Sequence, residues 1–418
     1  MSQTTQKQIL AKFQSITKGV QSIVFTQQTA TIGRGQFNIT SNLVSSSHLV
    51  VNVKQTGKDV VCVVVDKSQN GTWVNNQRIA NNEETVLAMY DLVTLLNPTT
   101  ALAVSFLYLD MTEVENNEQC KQFLDKYQIM KYIGSGGFGR VFHGRNKKTK
   151  VECAIKIIKC KRKKLLNEGE ITLGLDNPNI IKTYDVFAYD DYIIMIMEYA
   201  RGGSLGDIIK AKPVLDIDIV KKIIVQVLNA LLYLHQHKTV HRDIKPDNVL
   251  YTAEKTYMKL TDFGMAKYIS KDQYATTLCG TPGYIAPEIV ERMENTSYYK
   301  NEVMEINKLK DQKEKVKRAM ELKQKLKYNA FKSDVWSCGV MAYRIAVGKG
   351  PFDKDGKPDM KALINGMIDK NVEYNALPEE FRDLIENMIV VDPLKRFSVE
   401  ECLGHEFFGL KHQRAEEQ

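Results

Sequence analysis

Between residues 110 and 127 the hydrophobic period of this chain changes, and no single simple core can serve both halves. Before that point the apolar residues fall in eight short runs: ILAKFQSI, QSIVFT, TATIG, HLVVNV, DVVCVVVD, TWVN, VTLL and ALAVSFLYL. Each is strand-sized, and none keeps the 3.6-residue spacing of a helix. Beyond residue 127 a β-rich segment runs to about residue 199. Stretches such as DIVKKIIVQVLNALLYLHQH follow, with apolar residues at helical spacing. The spacing predicts an all-β sandwich over residues 9–109, followed by a second domain that mixes strands and helices. The polar, initially acidic stretch 110–126, DMTEVENNEQCKQFLDK, reads as a linker. Residues 1–8 read as a flexible start and 410–418 as a tail.

The 418 residues are enough for two or three cores, and 43% apolar with 26% charged residues is ordinary for a soluble globular chain. The longest apolar runs, such as VVCVVV at 60–65, are too short to span a bilayer, so no membrane role is expected. Seven cysteines form no CxxC pair, which points to a reducing intracellular setting without zinc or disulfides. The net charge of +8 is concentrated in KCKRKK at 159–164 and in 300–327. Charge runs of this kind are usually solvated faces, which argues against direct nucleic-acid binding and leaves nuclear import open.

The second half carries five motifs in order. GSGGFGRV at 134–141 fits G-x-G-x-x-G-x-V, and its last glycine leads into VFHG, which reads as a strand and not as a helix start. A hairpin without Cβ atoms lets backbone approach a polyanion. VECAIKII then carries Lys156 on a hydrophobic strand. HRDIKPDN at 241–248, DFG at 262–264 and GTPGYIAPE at 280–288 follow. Together they make the chain resemble the eukaryotic protein kinases over residues 127–409, with their bilobal α+β fold.

That resemblance implies ATP and Mg2+ as cofactors and assigns roles by position. Gly134, Gly136 and Gly139 would cover the phosphates, and Lys156 would meet the α- and β-phosphates. Asp243 would accept the substrate hydroxyl proton, with Lys245, the serine/threonine-specific residue, neutralising the γ-phosphate. Asn248 and Asp262 would hold the metal. Val141, Ala154 and Leu250 would enclose the adenine, Met197 would stand as gatekeeper, and Glu198, Tyr199 and Ala200 would form the hinge. The partner of Lys156 on helix C would be Glu168, with Glu170 as the alternative. Only twelve residues separate Lys156 from Glu168, which predicts a missing first turn of that helix. Glu288 would pair with Arg396, and Asp334 would brace the catalytic loop. Arg242 beside Asp243 implies a phosphate on the activation loop, on Thr276, Thr277 or Thr281. Thr277 is the first choice, and the Thr281 hydroxyl is also suited to contact Asp243 and Lys245. Between Glu288 and Asp334 the chain is about thirty residues longer than the family pattern. The extra piece, 293–327, reads as a surface helix or a partly disordered insertion, or as a docking or dimer-contact element.

The first half carries GRG at 33–35, SSSH at 45–48 and NGTWVN at 70–75, and resembles the forkhead-associated (FHA) domain. The resemblance implies phosphothreonine recognition. Arg34 would clamp the phosphate, Ser45 and Ser46 would donate to it, and Asn70 with Gln69 would hold the peptide backbone. His48 and Gly71 would brace the loops.

An FHA domain joined to a serine/threonine kinase resembles the DNA-damage checkpoint effector kinases of the checkpoint kinase two type, which implies a nuclear protein, with the cytoplasm as a second location. Alternatives are an FHA kinase with a meiotic or other signalling duty, and a phosphopeptide-binding adaptor with an inert kinase domain. Composition predicts roughly two Ser/Thr-Gln pairs by chance. The chain has four, at Ser2, Thr5, Thr26 and Ser68. Thr5 lies in the flexible start and carries the methyl that an FHA site reads, so it is the expected target of an upstream Ser/Thr-Gln-directed kinase. Its tether to the first strand spans about 14 Å at full extension, against roughly 35 Å across a domain of this size. The mark is therefore expected to bind a second chain and form a transient homodimer. Ser204 stands where related kinases carry an acid that reads an upstream arginine, which leaves substrate preference open, although Asp247 is present.

Overall fold

The computed structural model describes residues 8–26, 28–57, 59–136, 139–159, 172–252, 257–263, 267–268, 274–275, 280–309, 311–325 and 328–409. The chain divides into two compact units, one of residues 1–166 with 184–199 and one of 167–183 with 200–418.

In the first unit, ten strands occupy residues 11–110. One sheet has the order β2 (Ile23–Phe25), β1 (Ala11–Ser15), β10 (Val104–Asp110), β9 (Leu92–Leu95), β6 (Thr72–Val74), β7 (Gln77–Arg78). The other has the order β3 (Gln28–Ile32), β4 (Leu49–Thr56), β5 (Asp59–Asp66), β8 (Glu84–Val86). All eight runs named from the sequence contain a strand. The short β7 and β8 carry too few apolar residues to announce themselves. Phe13, Phe25, Phe106, Tyr108, Val51 and Val64 are buried in the core between the sheets.

Strand β10 explains why ALAVSFLYL is a continuous apolar run. Side chains alternate across a strand. Phe106 and Tyr108 enter the sandwich core, while Leu107 and Leu109 enter a second core. That second core also contains Tyr90 and Leu92 of the sandwich, together with Phe142, Ile155, Ile194 and Ile196 of the next sheet. This sheet runs β11 (Tyr127–Gly136), β12 (Gly139–Asn146), β13 (Glu152–Lys159), β15 (Tyr192–Glu198), β14 (Thr183–Tyr189). A buried Leu, Ile or Phe contributes roughly 1.5–3 kcal/mol, so the shared residues weld the sandwich to this sheet. Within this core the Tyr189 hydroxyl hydrogen-bonds that of Tyr90, and the Tyr192 hydroxyl donates to Met89 O at 3.0 Å.

The stretch read as a linker is folded. It forms α1 (Met111–Asn116) and α2 (Glu118–Lys126). Asp110 caps the first by accepting from Thr112 N–H and Glu113 N–H, and Asn117 caps the second in the same way. Val114, Cys120 and Phe123 are buried in the shared core.

In the second unit, α3 (Leu205–Ala211) and α4 (Ile217–Gln236) precede the short strands β16 (Thr239–Val240), β17 (Val249–Tyr251) and β18 (Met258–Leu260). Helix α4 buries Val220, Ile223, Ile224, Val227, Leu231 and Leu234, the three-and-four spacing of a helix packed along one face. After α5 (Pro287–Glu294), the insertion forms α6 (Thr296–Lys308) and α7 (Gln312–Lys325). Ile306 and Leu322 are buried there, while Val303, Val316 and Met320 are exposed. Leu326 lies outside the described residues. The long α8 (Ala330–Val347) is buried along most of its length and carries Asp334 and Trp336. Arg396 is 1% exposed, stacks over Trp336 at 5.0 Å, and holds both oxygens of Glu288 at 2.9 and 3.0 Å. Among the described residues, no helix is long and apolar enough to cross a membrane.

Candidate active site and loop-borne recognition site

The loops at one end of the sandwich hold the first group of predicted residues. Arg34 is exposed on the loop after β3, its N–H donating to Ser45 O at 3.0 Å and its Nη1 reaching Asn42 O at 3.5 Å. Gly33 lets this loop touch its neighbour: a Cβ there would lie 2.0 Å from Ser46 O. Gln69 N–H approaches Ser45 Oγ at 3.4 Å, and Asn70 Nδ2 donates to Leu43 O at 2.7 Å. Arg34, Ser45, Ser46, Gln69 and Asn70 therefore sit on loops tied to one another. Ser46, Gln69 and Asn70 are exposed, and Ser45 is half-buried.

Two buried polar residues hold these loops. His48 is 0% exposed; its Nδ1 accepts Ser45 N–H at 3.2 Å and its Nε2 meets Gly71 O at 3.0 Å. Burial holds its pKa below the ordinary histidine value, against the opposing pull of the Gly71 carbonyl and Asp66. Asp66 accepts from Ser68 N–H, Thr72 N–H and the Thr72 hydroxyl. Sequence reasoning did not name Asp66. The visible signal was an aspartate two residues before a serine, a spacing that favours a local side-chain-to-backbone bond. Ser68 is buried, and its hydroxyl accepts Gly71 N–H at 2.7 Å.

The five-stranded sheet of the first unit presents the second group on one face. Val141 lies opposite Lys156 in the β12–β13 register, and Ala154 lies opposite Met197 in the β13–β15 register. Alternation puts Val141, Ala154, Lys156 and Met197 on the face away from the shared core. Lys156 is 5% exposed. Gly134 and Gly136 end β11, and Gly139 begins β12. A Cβ on Gly139 would lie 2.4 Å from Ile157 O, whereas one on Gly134 would meet nothing within 4 Å. Gly139 is thus needed for close strand approach, while Gly134 lies in open space. Glu198 ends β15, opposite Cys153.

The second unit assembles the third group. Asp243 is 5% exposed. Its Oδ1 accepts the Thr281 hydroxyl at 2.6 Å, and its Oδ2 lies 2.8 Å from Lys245 Nζ. Lys245 Nζ also donates to Thr281 Oγ1 at 2.7 Å. Asn248 Nδ2 donates to Asp243 O at 2.8 Å and to Asp243 Oδ2 at 3.1 Å. Asp334, fully buried, accepts His241 N–H at 3.0 Å, Arg242 N–H at 2.8 Å and the His235 ring at 3.0 Å. Burial alone would raise the Asp334 pKa; the bond to His235, the charges of His235 and His241, and the His241 N–H together hold it below the ordinary value. These bonds fix Arg242 at a φ of 66°, a left-handed conformation costly for a side chain of this kind. Asp262, next to Thr261, shares that conformation at 63°. Leu250 lies on β17 and Ala200 opens the second unit. Ser204 caps α3 and exchanges hydrogen bonds with Asp207. Glu168, Glu170, Thr5, Thr276 and Thr277 lie outside the described residues.

The protein kinase domain family matches residues 127–303 and 318–408, and the FHA domain family matches residues 30–95. The serine/threonine-protein kinase cds1 of Schizosaccharomyces pombe is 31% identical over 362 residues, covering 82% of this chain and 72% of that protein. The ovarian-specific serine/threonine-protein kinase Lok of Drosophila melanogaster is 28% identical over 410 residues, covering 91% and 79%. The probable serine/threonine-protein kinase fhkD of Dictyostelium discoideum is 30% identical over 376 residues, which is 84% of this chain but only 46% of that one. The crystal structure of Rad53 1–466 in complex with AMP-PNP covers 96% of this chain and 100% of its own, at a TM-score of 0.53 and 23% identity.

Proposed function

This chain belongs to the FHA-bearing serine/threonine protein kinases, and from that membership we propose a checkpoint-type kinase, switched on when phosphothreonine binding pairs two chains. The observation that carries this reading is one chain holding both an Asp243–Lys245–Asn248–Thr281 cluster and an Arg34–Ser45–Asn70 loop cluster.

ATP is the donor. Asp243 takes the proton from a substrate serine or threonine hydroxyl, oriented by the Thr281 hydroxyl and Asn248 Nδ2 on its carboxylate. Lys245 stays beside that carboxylate and faces the transferred phosphoryl group. With Nδ2 committed to Asp243, the atom of Asn248 left to ligate a cation is its amide oxygen. That oxygen and the Asp262 carboxylate are the hard oxygen ligands Mg2+ takes, one or two per protein beside phosphate and water. Those two groups would hold Mg2+, which would supply charge neutralisation on the phosphates. An inert adaptor would have no use for this arrangement.

Regulation starts at Thr5, marked by a Ser/Thr-Gln-directed kinase, in the nucleus. Arg34 and Ser45 of a second chain bind the mark, and the paired kinase domains then phosphorylate each other's activation loops. The test is light scattering on the full chain carrying phosphate at Thr5. A dimer that Arg34→Ala returns to monomer supports the reading; a monomer at micromolar concentration overturns the pairing. Loss of peptide phosphorylation in Asp243→Asn separates the kinase from an adaptor.

A further inference from the structure

One turn of the sandwich holds β11 and β12 on either side of the glycine-rich motif. Strands β6 and β7 are joined by Asn75 and Asn76, with φ of 52° and 66°. Two successive left-handed residues form a type I′ turn, a conformation asparagine tolerates and most residues do not. Asn76 Nδ2 donates to the Tyr132 hydroxyl of β11 at 3.0 Å. Arg140 of β12 donates to Asn75 Oδ1, and its Nη1 lies 3.4 Å from Asp91 Oδ1. Tyr132 stands two residues before Gly134, and Arg140 follows Gly139 directly. In sequence the glycine-rich motif is therefore flanked by two side chains anchored to the same asparagine pair.

The acceptors for Arg140 are themselves held. Asn75 Nδ2 donates to Asp91 Oδ1 at 2.8 Å, Asn75 Oδ1 accepts Leu92 N–H at 3.0 Å, and Asp91 Oδ2 accepts Ala88 N–H at 2.8 Å. The Arg140 and Asp91 side chains are 18% and 13% exposed, so solvent and salt screen the pair less than a surface pair. Alternation along β12 places Arg140 on the same side as Phe142, toward the shared core, and Val141 on the other. Fixing Arg140 thus fixes the strand on which Gly139 and Val141 stand.

We propose that Arg140 is a positioning residue for phosphoryl transfer: held by Asn75 and Asp91 of the FHA domain, it sets the start of β12 that carries Gly139 and Val141, so that the FHA domain tunes the ATP affinity of its own kinase domain. This rests on ATP binding against Gly139 and Val141. A strand free to shift holds those two residues in their binding-competent place for a smaller fraction of the time, and apparent affinity falls by that fraction. Once nucleotide has bound, chemistry proceeds as before. The mark of this role is a raised KM for ATP at unchanged kcat.

The experiment is titration of the full chain with a fluorescent ATP analogue, beside steady-state kinetics at varied ATP. Arg140→Ala should weaken nucleotide binding and raise KM by about threefold to tenfold, the range for a partly sheltered charged pair, with kcat unchanged. Asn75→Gly, which keeps the turn and removes the acceptor, should do the same, and the two together should do no more than the larger alone. Arg140→Lys, which keeps a cation for Asp91, should recover part of the affinity. Should Arg140→Ala fail to fold, Asn75→Gly decides. Wild-type saturation with both variants unmoved overturns the positioning role, as does a shift in thermal midpoint alone. A wild-type chain that does not bind the analogue at all overturns instead the reading of ATP as donor.

Discussion

Arg34, Gln69 and Asn70 stand exposed on loops, whereas Asp243 and Asn248 are each 5% exposed. In both places a buried acidic residue orders the backbone: Asp66 under the recognition loops, Asp334 under the catalytic loop. Above that common foundation the two diverge. The recognition loops offer their side chains to water, as a surface that meets whole proteins must. The catalytic loop turns Asp243 inward among Lys245, Asn248 and Thr281, where lower local polarity strengthens each interaction. One site gains by being open and the other by being closed, and substitutions should separate them.

The widest separation comes from Asp243→Asn, which removes the proposed proton acceptor. Peptide phosphorylation should fall about 10²- to 10⁴-fold, the usual share of general-base catalysis, while a titrated phosphothreonine peptide binds as before. Next is the buried pair beneath the catalytic unit. Arg396→Ala leaves Glu288 buried and unpaired and should cost about 3–5 kcal/mol, read as a lower midpoint in denaturant. If the midpoint stays put, the second unit does not depend on a closed interior in the way described. Arg34→Ala is smaller: losing hydrogen bonds to a charged group costs roughly 1.5–3 kcal/mol, or about ten- to a hundredfold in peptide affinity. Titration calorimetry on the full chain checks it.

The smallest effect is a pH slope in the sandwich. The folded His48 pKa lies below its ordinary value because of burial, while the unfolded chain titrates near 6.5. Protons therefore bind the unfolded chain first. The stability His48 contributes is complete above about pH 6.5 and drains as pH falls toward the folded value. Thermal unfolding followed by Trp73 emission should show that decline, and His48→Gln should flatten it.

Much of this was legible in the residues. The eight strand-sized runs, the helical period of α4, and the ordered motifs around Asp243 and Arg34 all carry local signals. What was not legible came from partners distant in sequence. DMTEVENNEQCKQFLDK looks like a linker because three buried apolar residues among polar ones make a faint stripe, yet Asp110 and Asn117 were recognisable caps. Leu107 and Leu109 were visible as apolar residues on the second face of a strand, but nothing local said what they pack against. Arg140 was hidden inside a motif whose glycines drew the attention. Its partners, Asn75 and Asp91, lie 65 and 49 residues upstream in two separate turns. Glu168 and Thr277, assigned by family register, fall outside the described residues.

The core shared by the sandwich and the following sheet imposes an order on synthesis. Leu107 and Leu109 leave the ribosome well before Ile194 and Ile196, which complete the cluster around them. At about 5–20 residues per second, the finished sandwich waits several seconds with an apolar face uncovered. During that interval the uncovered face offers chaperones an apolar surface, and slow codons for residues 110–196 would lengthen its exposure.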